Sequence, residues 1–139
     1  MKEVAVGATG GASPGFLTPT ALAKHAGAKF KVVSGYGGSA DAYLAMERGE
    51  VDLVGSVGIT FILQRKPDWI RGKAAPILYQ TAIKRHPLIP HVPTLEELGV
   101  NVESKLVLRT IGASSEIGRA IVTTPGVPKE RLAGLRKAF

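Results

Sequence analysis

Short apolar runs, each ending in glycine, alternate with stretches of helical periodicity. Val4-Ala5-Val6 reads as a buried strand leading into a Gly-rich loop. Thr18 or Thr20 caps a helix through Ala21 to Lys24, stopped by Gly27. Phe30 to Val33 is a second strand, interrupted by Gly35, Gly37 and Gly38. Ser39 is then the expected N-cap of a helix over 40–48, with Gly49 closing it. Val51 to Val54 forms a third strand, a turn covers Gly55 to Gly58, and a further apolar run covers Ile59 to Gln64. Ala75 to Tyr79 reads as a fourth strand. Pro87, Pro90 and Pro93 mark an irregular connection, and Thr94 caps a short helix, Leu95 to Leu98, closed by Gly99. A helix over 102–113, a last strand over 117–123 and a helix opened by Pro128 complete the pattern.

The predicted strands are apolar throughout instead of alternating, which is the pattern of a parallel sheet covered on both faces. The expected class is α/β: a Rossmann-like, doubly wound, mostly parallel sheet, with right-handed crossovers setting its topology. No internal repeat is visible.

Length and composition narrow the functional classes. The chain has 139 residues, one domain's worth, and 45% are hydrophobic, enough to bury roughly 70% of the unfolded surface. It contains no cysteine, which removes disulfides and thiolate chemistry together. The formal charge is +7, but the basic residues are spread along the chain and only four Phe, three Tyr and one Trp are present. No interleaved aromatic platform for bases results, so nucleic acid is not an expected partner. No run approaches the roughly 18 apolar residues of a membrane helix. Met1 to Val6 leads straight into strand-like sequence, so no export signal is expected in the chain as it stands, which would leave it cytoplasmic.

Ligands of a doubly wound sheet sit beyond the carboxyl ends of its strands. Three loops are expected there, 7–15, 34–39 and 55–58, all built from Gly, Ser and Thr. Such loops turn backbone N–H groups toward an anion, and the helix after each adds partial positive charge. The main alternative is a dinucleotide fingerprint at Val6 to Gly11, which would make the chain an NAD(P)-dependent enzyme. G-x-G-x-x-G fails there, because Thr9 and Ser13 occupy glycine positions. The second strand also ends Val33-Ser34-Gly35-Tyr36, without an acid for a ribose. No G-K-[ST] follows the glycines, the three His lack zinc spacing, and no G-x-S-x-G elbow surrounds a serine. No catalytic constellation, metal site or cofactor is expected, and the reading is of a protein that is not an enzyme.

Several segments together resemble a known family. The run Lys31 to Asp41, followed by Ala45 to Asp52, is similar to the tripartite tricarboxylate transporter receptors, the Bug-type periplasmic solute-binding proteins. So are Pro90 to Gly99 and Thr124 to Arg131, followed by Leu135 to Phe139. The matches occur in order over nearly the whole chain. The resemblance implies one lobe of a type II periplasmic-binding-protein fold. It also implies a periplasmic receptor for a small di- or tricarboxylate that works with membrane permease subunits. Implied ligand-binding residues are Thr9, Gly10, Gly11, Ala12 and Ser13 in the first loop, and Tyr36, Gly37, Gly38, Ser39 and Asp41 in the second.

Members of that family are about twice this length, so the chain is expected to be a truncated form corresponding to the second lobe. Residues 1–116 would form the carboxylate-binding lobe. Residues 117–139 would be the return crossover strand and terminal helix, which normally pack on the first lobe. Without it, a homodimer through 117–139 is expected. The remaining alternative is an orphan lobe with a structural or interaction role and no ligand.

Overall fold

The computed structural model describes residues 3–71, 75–116 and 122–138. Its centre is a three-stranded parallel sheet in the order β2-β1-β3. β1 spans Val4–Ala8, β2 Phe30–Ser34 and β3 Leu53–Val54. β1 pairs with β2 from Val4↔Phe30 to Ala8↔Ser34, and with β3 at Val6↔Leu53 and Gly7↔Val54. The chain steps from β1 to β2 in one direction and then crosses back past β1 to β3. Two right-handed crossovers in opposite directions put α1 (Pro14–His25) and α2 (Ser39–Glu47) on opposite faces. This is an α/β, Rossmann-like arrangement.

Each face has its own core. On the α1 face, Leu22, Leu95 and Leu108 are buried together, with Phe30, Tyr79 and Ile111 packed around them. α5 (Val102–Ala113) contributes the stripe Ser104, Leu108 and Gly112, and the Asn101 side chain caps it by accepting from the Ser104 N–H at 2.8 Å. On the other face α2 buries Ala42, Tyr43 and Ala45. The small alanines bring α2 close to β1, where a Cβ on Gly7 would stand 3.6 Å from Ala42. Tyr43 stacks at 4.6 Å on Phe61 of α3 (Ile59–Arg65), and meets Trp69 of α4 (Pro67–Ile70) edge-on at 6.4 Å.

The structure corrects several expectations. The first helix begins at Pro14, not after Thr18 or Thr20, with extended Ser13 as its N-cap. Proline suits the first helical turn, where its missing N–H costs nothing. Pro19 lies inside this helix, and Thr18 is buried on it. Ser39 is the first residue of α2, and Gly38 stands at the cap.

The third strand shrinks to Leu53–Val54 for a local reason. The Ala5 N–H, which a β3 carbonyl would otherwise accept, donates to the Asp52 carboxylate at 2.8 Å. The fourth strand, 75–79, does not form. Pro76 lacks a ladder donor, and the segment is tied down by a side chain: the Tyr79 hydroxyl donates to the Gly55 carbonyl at 2.5 Å. Only Gln80, just beyond it, makes an isolated bridge, to Thr94. β2 is an edge strand with Lys31, Val33 and Ser34 exposed, so it is not covered on both faces. The expected helix over 95–98 is a single 3-10 turn, Glu96–Leu98. Of the last predicted strand, residues 117–121 lie outside the described residues, while Val122 and Thr123 have no regular structure. The terminal helix α6 spans Lys129–Ala138, with none of its residues buried.

The proline-rich connection is ordered by one buried amide. Gln80 is 6% exposed and donates through Nε2 to the carbonyls of Ile89 (3.0 Å) and Val92 (2.7 Å). Its Oε1 accepts the His86 N–H at 2.7 Å. Segment 86–92 has no regular partner, and this side chain stands in for a strand.

Candidate functional site

The strand order reverses between β1 and β3, so their carboxyl ends diverge and leave a crevice there. A cavity of about 330 Å³ occupies it. Thr9 and Ser13 line it from the loop after β1, Ser39 and Tyr43 from α2, and Ser56 and Gly58 from the loop after β3. All three loops singled out from sequence therefore meet at one point.

The first loop is shaped by its own serine. Ser13 Oγ donates to the Gly10 carbonyl at 2.6 Å, and the Ser13 N–H donates to the same oxygen at 2.9 Å. The hydroxyl proton of Ser13 thus closes the turn. The Gly35 N–H donates to the Thr9 carbonyl at 3.2 Å and ties the second loop to the first. Among the described residues, neither Thr9 Oγ1 nor Ser56 Oγ hydrogen-bonds to protein, and both remain able to donate into the cavity. Phe16 and Leu17 donate to the Ser13 carbonyl, and Asp41 and Ala42 to the Gly38 carbonyl. The N–H groups left without a backbone acceptor among the described residues are therefore those of Gly15 at the start of α1 and of Ser39 and Ala40 at the start of α2. The first turn of α1 carries no acidic residue, so its positive end is uncompensated by its own side chains.

The residues expected from sequence divide in two. Thr9, Ser13 and Ser39 lie on the cavity wall, whereas Gly10, Gly11, Ala12, Tyr36, Gly37, Gly38 and Asp41 are not part of it. Gly10, Gly11 and Ala12 form the turn that Ser13 closes. Tyr36 packs its ring edge 3.5 Å from where a Cβ of Gly7 would sit. Asp41 is exposed in the first turn of α2, where it complements the helix dipole.

Ser56, Gly58 and Tyr43 are wall residues that the motif reading did not select. The signal for Ser56 and Gly58 was present, since their loop follows a strand and contains only small residues. Tyr43 lies mid-helix and gave no sign. It is 7% exposed, and its burial raises the phenol pKa, opposed by a hydrogen bond with Ser39.

A second cavity of about 600 Å³ adjoins the first. Pro14, Val54, Ser56 and Gly58 line both. Ile62, Trp69, Ile77, Leu78, Tyr79 and Ile89 make its wall largely apolar. Burial pushes the Tyr79 phenol pKa up as well, so it stays a neutral donor to Gly55. Among the described residues neither wall contains a lysine, an arginine or a carboxylate. Among the described residues no cluster of His, Asp and Glu could hold a metal, and no helix is long and apolar enough to cross a membrane.

No family model matches the chain, and no similar curated protein or solved structure is found.

Proposed function

We propose that the chain is the solute-binding lobe of an extracytoplasmic receptor of the tripartite tricarboxylate type. In this reading it holds a small carboxylate, delivers it to membrane permease subunits and catalyses no reaction. One observation carries the proposal: three Gly/Ser/Thr loops and the N-termini of α1 and α2 converge on one cavity at the strand-order reversal, with no lysine or arginine in its wall among the described residues. Neutral donors suit a receptor that must release its cargo. A carboxylate bonded to hydroxyls and backbone N–H groups gains charge-assisted hydrogen bonds. It does so without the desolvation of a second buried ion.

The dinucleotide alternative has less support. Beyond β2 the chain turns at Ser34 and Gly35, the latter at φ +110°, so no acid stands where a ribose would lie. Calorimetric titration with carboxylates alongside NAD and NADP separates the two readings. Carboxylate binding alone is expected, and binding only to the nucleotides would overturn the receptor reading.

The absence of buried residues on α6 fits a segment that packs on something other than this lobe. We propose a second copy as its partner, with residues 117–139 at the contact.

A further inference from the structure

Resting on the carboxylate reading, we infer that the preferred ligand is a monocarboxylate with an apolar aryl or acyl body, not a di- or tricarboxylate. The argument is from the two cavities together. They adjoin at Pro14, Val54, Ser56 and Gly58, which line both, so a ligand that spans this seam meets two unlike halves. The smaller half has hydroxyls and helix N-termini for one anionic group. The larger half, about 600 Å³, is walled by Ile62, Trp69, Ile77, Leu78 and Ile89.

A second carboxylate would have to enter the larger half. Among the described residues no lysine or arginine lines it. The Ser114 and Ser115 hydroxyls already donate to the carbonyls of Ile111 and Gly112, and the Gln80 amide donates to Ile89 and Val92. The Tyr79 proton is already given to Gly55. A buried carboxylate without a partner is strongly disfavoured. An apolar body there removes hydrocarbon from water and gains affinity with every group buried. The combined volume falls within the usual range for small-molecule sites, about 300–1,000 Å³. Specificity would then come from a polarity gradient along the site: anion at Thr9 and Ser56, hydrocarbon at Trp69.

The chain's one tryptophan, Trp69, lies in the apolar wall, so its fluorescence reports occupancy of that half. The full chain is titrated with phenylacetate, hexanoate, succinate, citrate and the neutral phenylacetamide, by fluorescence and by calorimetry. Phenylacetate and hexanoate are expected to shift Trp69 emission and to bind about tenfold or more tightly than succinate or citrate. Phenylacetamide is expected to bind about tenfold more weakly than phenylacetate. Leu78→Glu, at a half-exposed wall position (50% exposed), should abolish the fluorescence response while circular dichroism stays unchanged.

Tighter binding of succinate or citrate, silent at Trp69, would overturn this inference and leave the carboxylate reading standing. Equal binding of phenylacetamide and phenylacetate would overturn the carboxylate reading itself. Failure of every acid to bind would overturn both. A Leu78→Glu variant that keeps its folded spectrum and still responds fully would place the ligand outside the apolar half.

Discussion

The carbonyl oxygen of Gly15 in α1 faces Gly55 at the end of β3 so closely that a Cβ on Gly55 would overlap it. Proline causes this carbonyl to be available. Pro19, four residues on, has no N–H to give to Gly15, and its own ring would stand 2.8 Å from the same Cβ. The interruption inside α1 thus meets the one residue type that can approach it, at the seam between the two cavities. Gly55→Ala is expected to destabilise the protein by about 1–3 kcal/mol through overpacking against backbone. Urea unfolding measures this, and an unchanged midpoint would show that the seam relaxes at no cost.

Gln80 gives a second stability prediction. Replacing it with Leu keeps the volume roughly but strands the Ile89 and Val92 carbonyls and the His86 N–H. The expected loss is on the order of 3 kcal/mol, because buried groups deprived of a partner lose their full solvation. Amide exchange through residues 86–95 should accelerate in the variant. Protection equal to wild type would mean that the segment is held by its packing alone.

Glu97 links stability to pH. Its carboxylate accepts from Arg85 Nη2 at 2.7 Å and Nε at 3.0 Å, and from the Thr94 N–H at 2.7 Å. Hydrogen bonds from Arg85 and then from Thr94 lower its pKa from 4.5 to about 2. The folded value is depressed, so the contribution is fully present above the unfolded value and is lost as pH falls through the folded one. The stability difference between wild type and Glu97→Gln is therefore expected to be constant at neutral pH and to shrink between about pH 4.5 and pH 2. A difference that persists unchanged at pH 2 would contradict the assignment.

The cavity hydroxyls separate by role. Thr9→Ala or Ser56→Ala removes a donor facing the cavity and should weaken carboxylate binding by roughly tenfold to a hundredfold each, the worth of one hydrogen bond to a charged group. Ser13→Ala should also weaken binding, but with a loss of loop order, since that hydroxyl closes the turn on Gly10. Calorimetry with amide exchange over 9–13 distinguishes the two. Full affinity in both Thr9→Ala and Ser56→Ala would take these hydroxyls out of the site.

For α6 the expectation is association. Sedimentation should show a concentration-dependent dimer, converted to monomer by Leu135→Glu on that helix (Leu135 is 44% exposed). A monodisperse monomer at micromolar concentration in the wild type would overturn the proposed contact.

Much of this molecule follows from local sequence. Pro14 after an extended serine starts α1, Asn101 starts α5, and Thr94 with Glu97 closes a capping arrangement, all through contacts within a few residues. The small residues after β1, β2 and β3 likewise make Gly/Ser/Thr loops wherever the strands lie. Which of those loops touch one cavity is not local. It follows from the order β2-β1-β3, which opens the crevice between β1 and β3 and brings Ser56 opposite Thr9. Tertiary structure also decided the fate of 75–79, an apolar run able to be a strand, which Tyr79 instead fastens to Gly55 by its hydroxyl. Capping and turn chemistry are settled over three or four residues and can be read from a line of letters. Edge availability, close backbone approach and the meeting of distant hydroxyls depend on what packs against what, and only the folded chain fixes that.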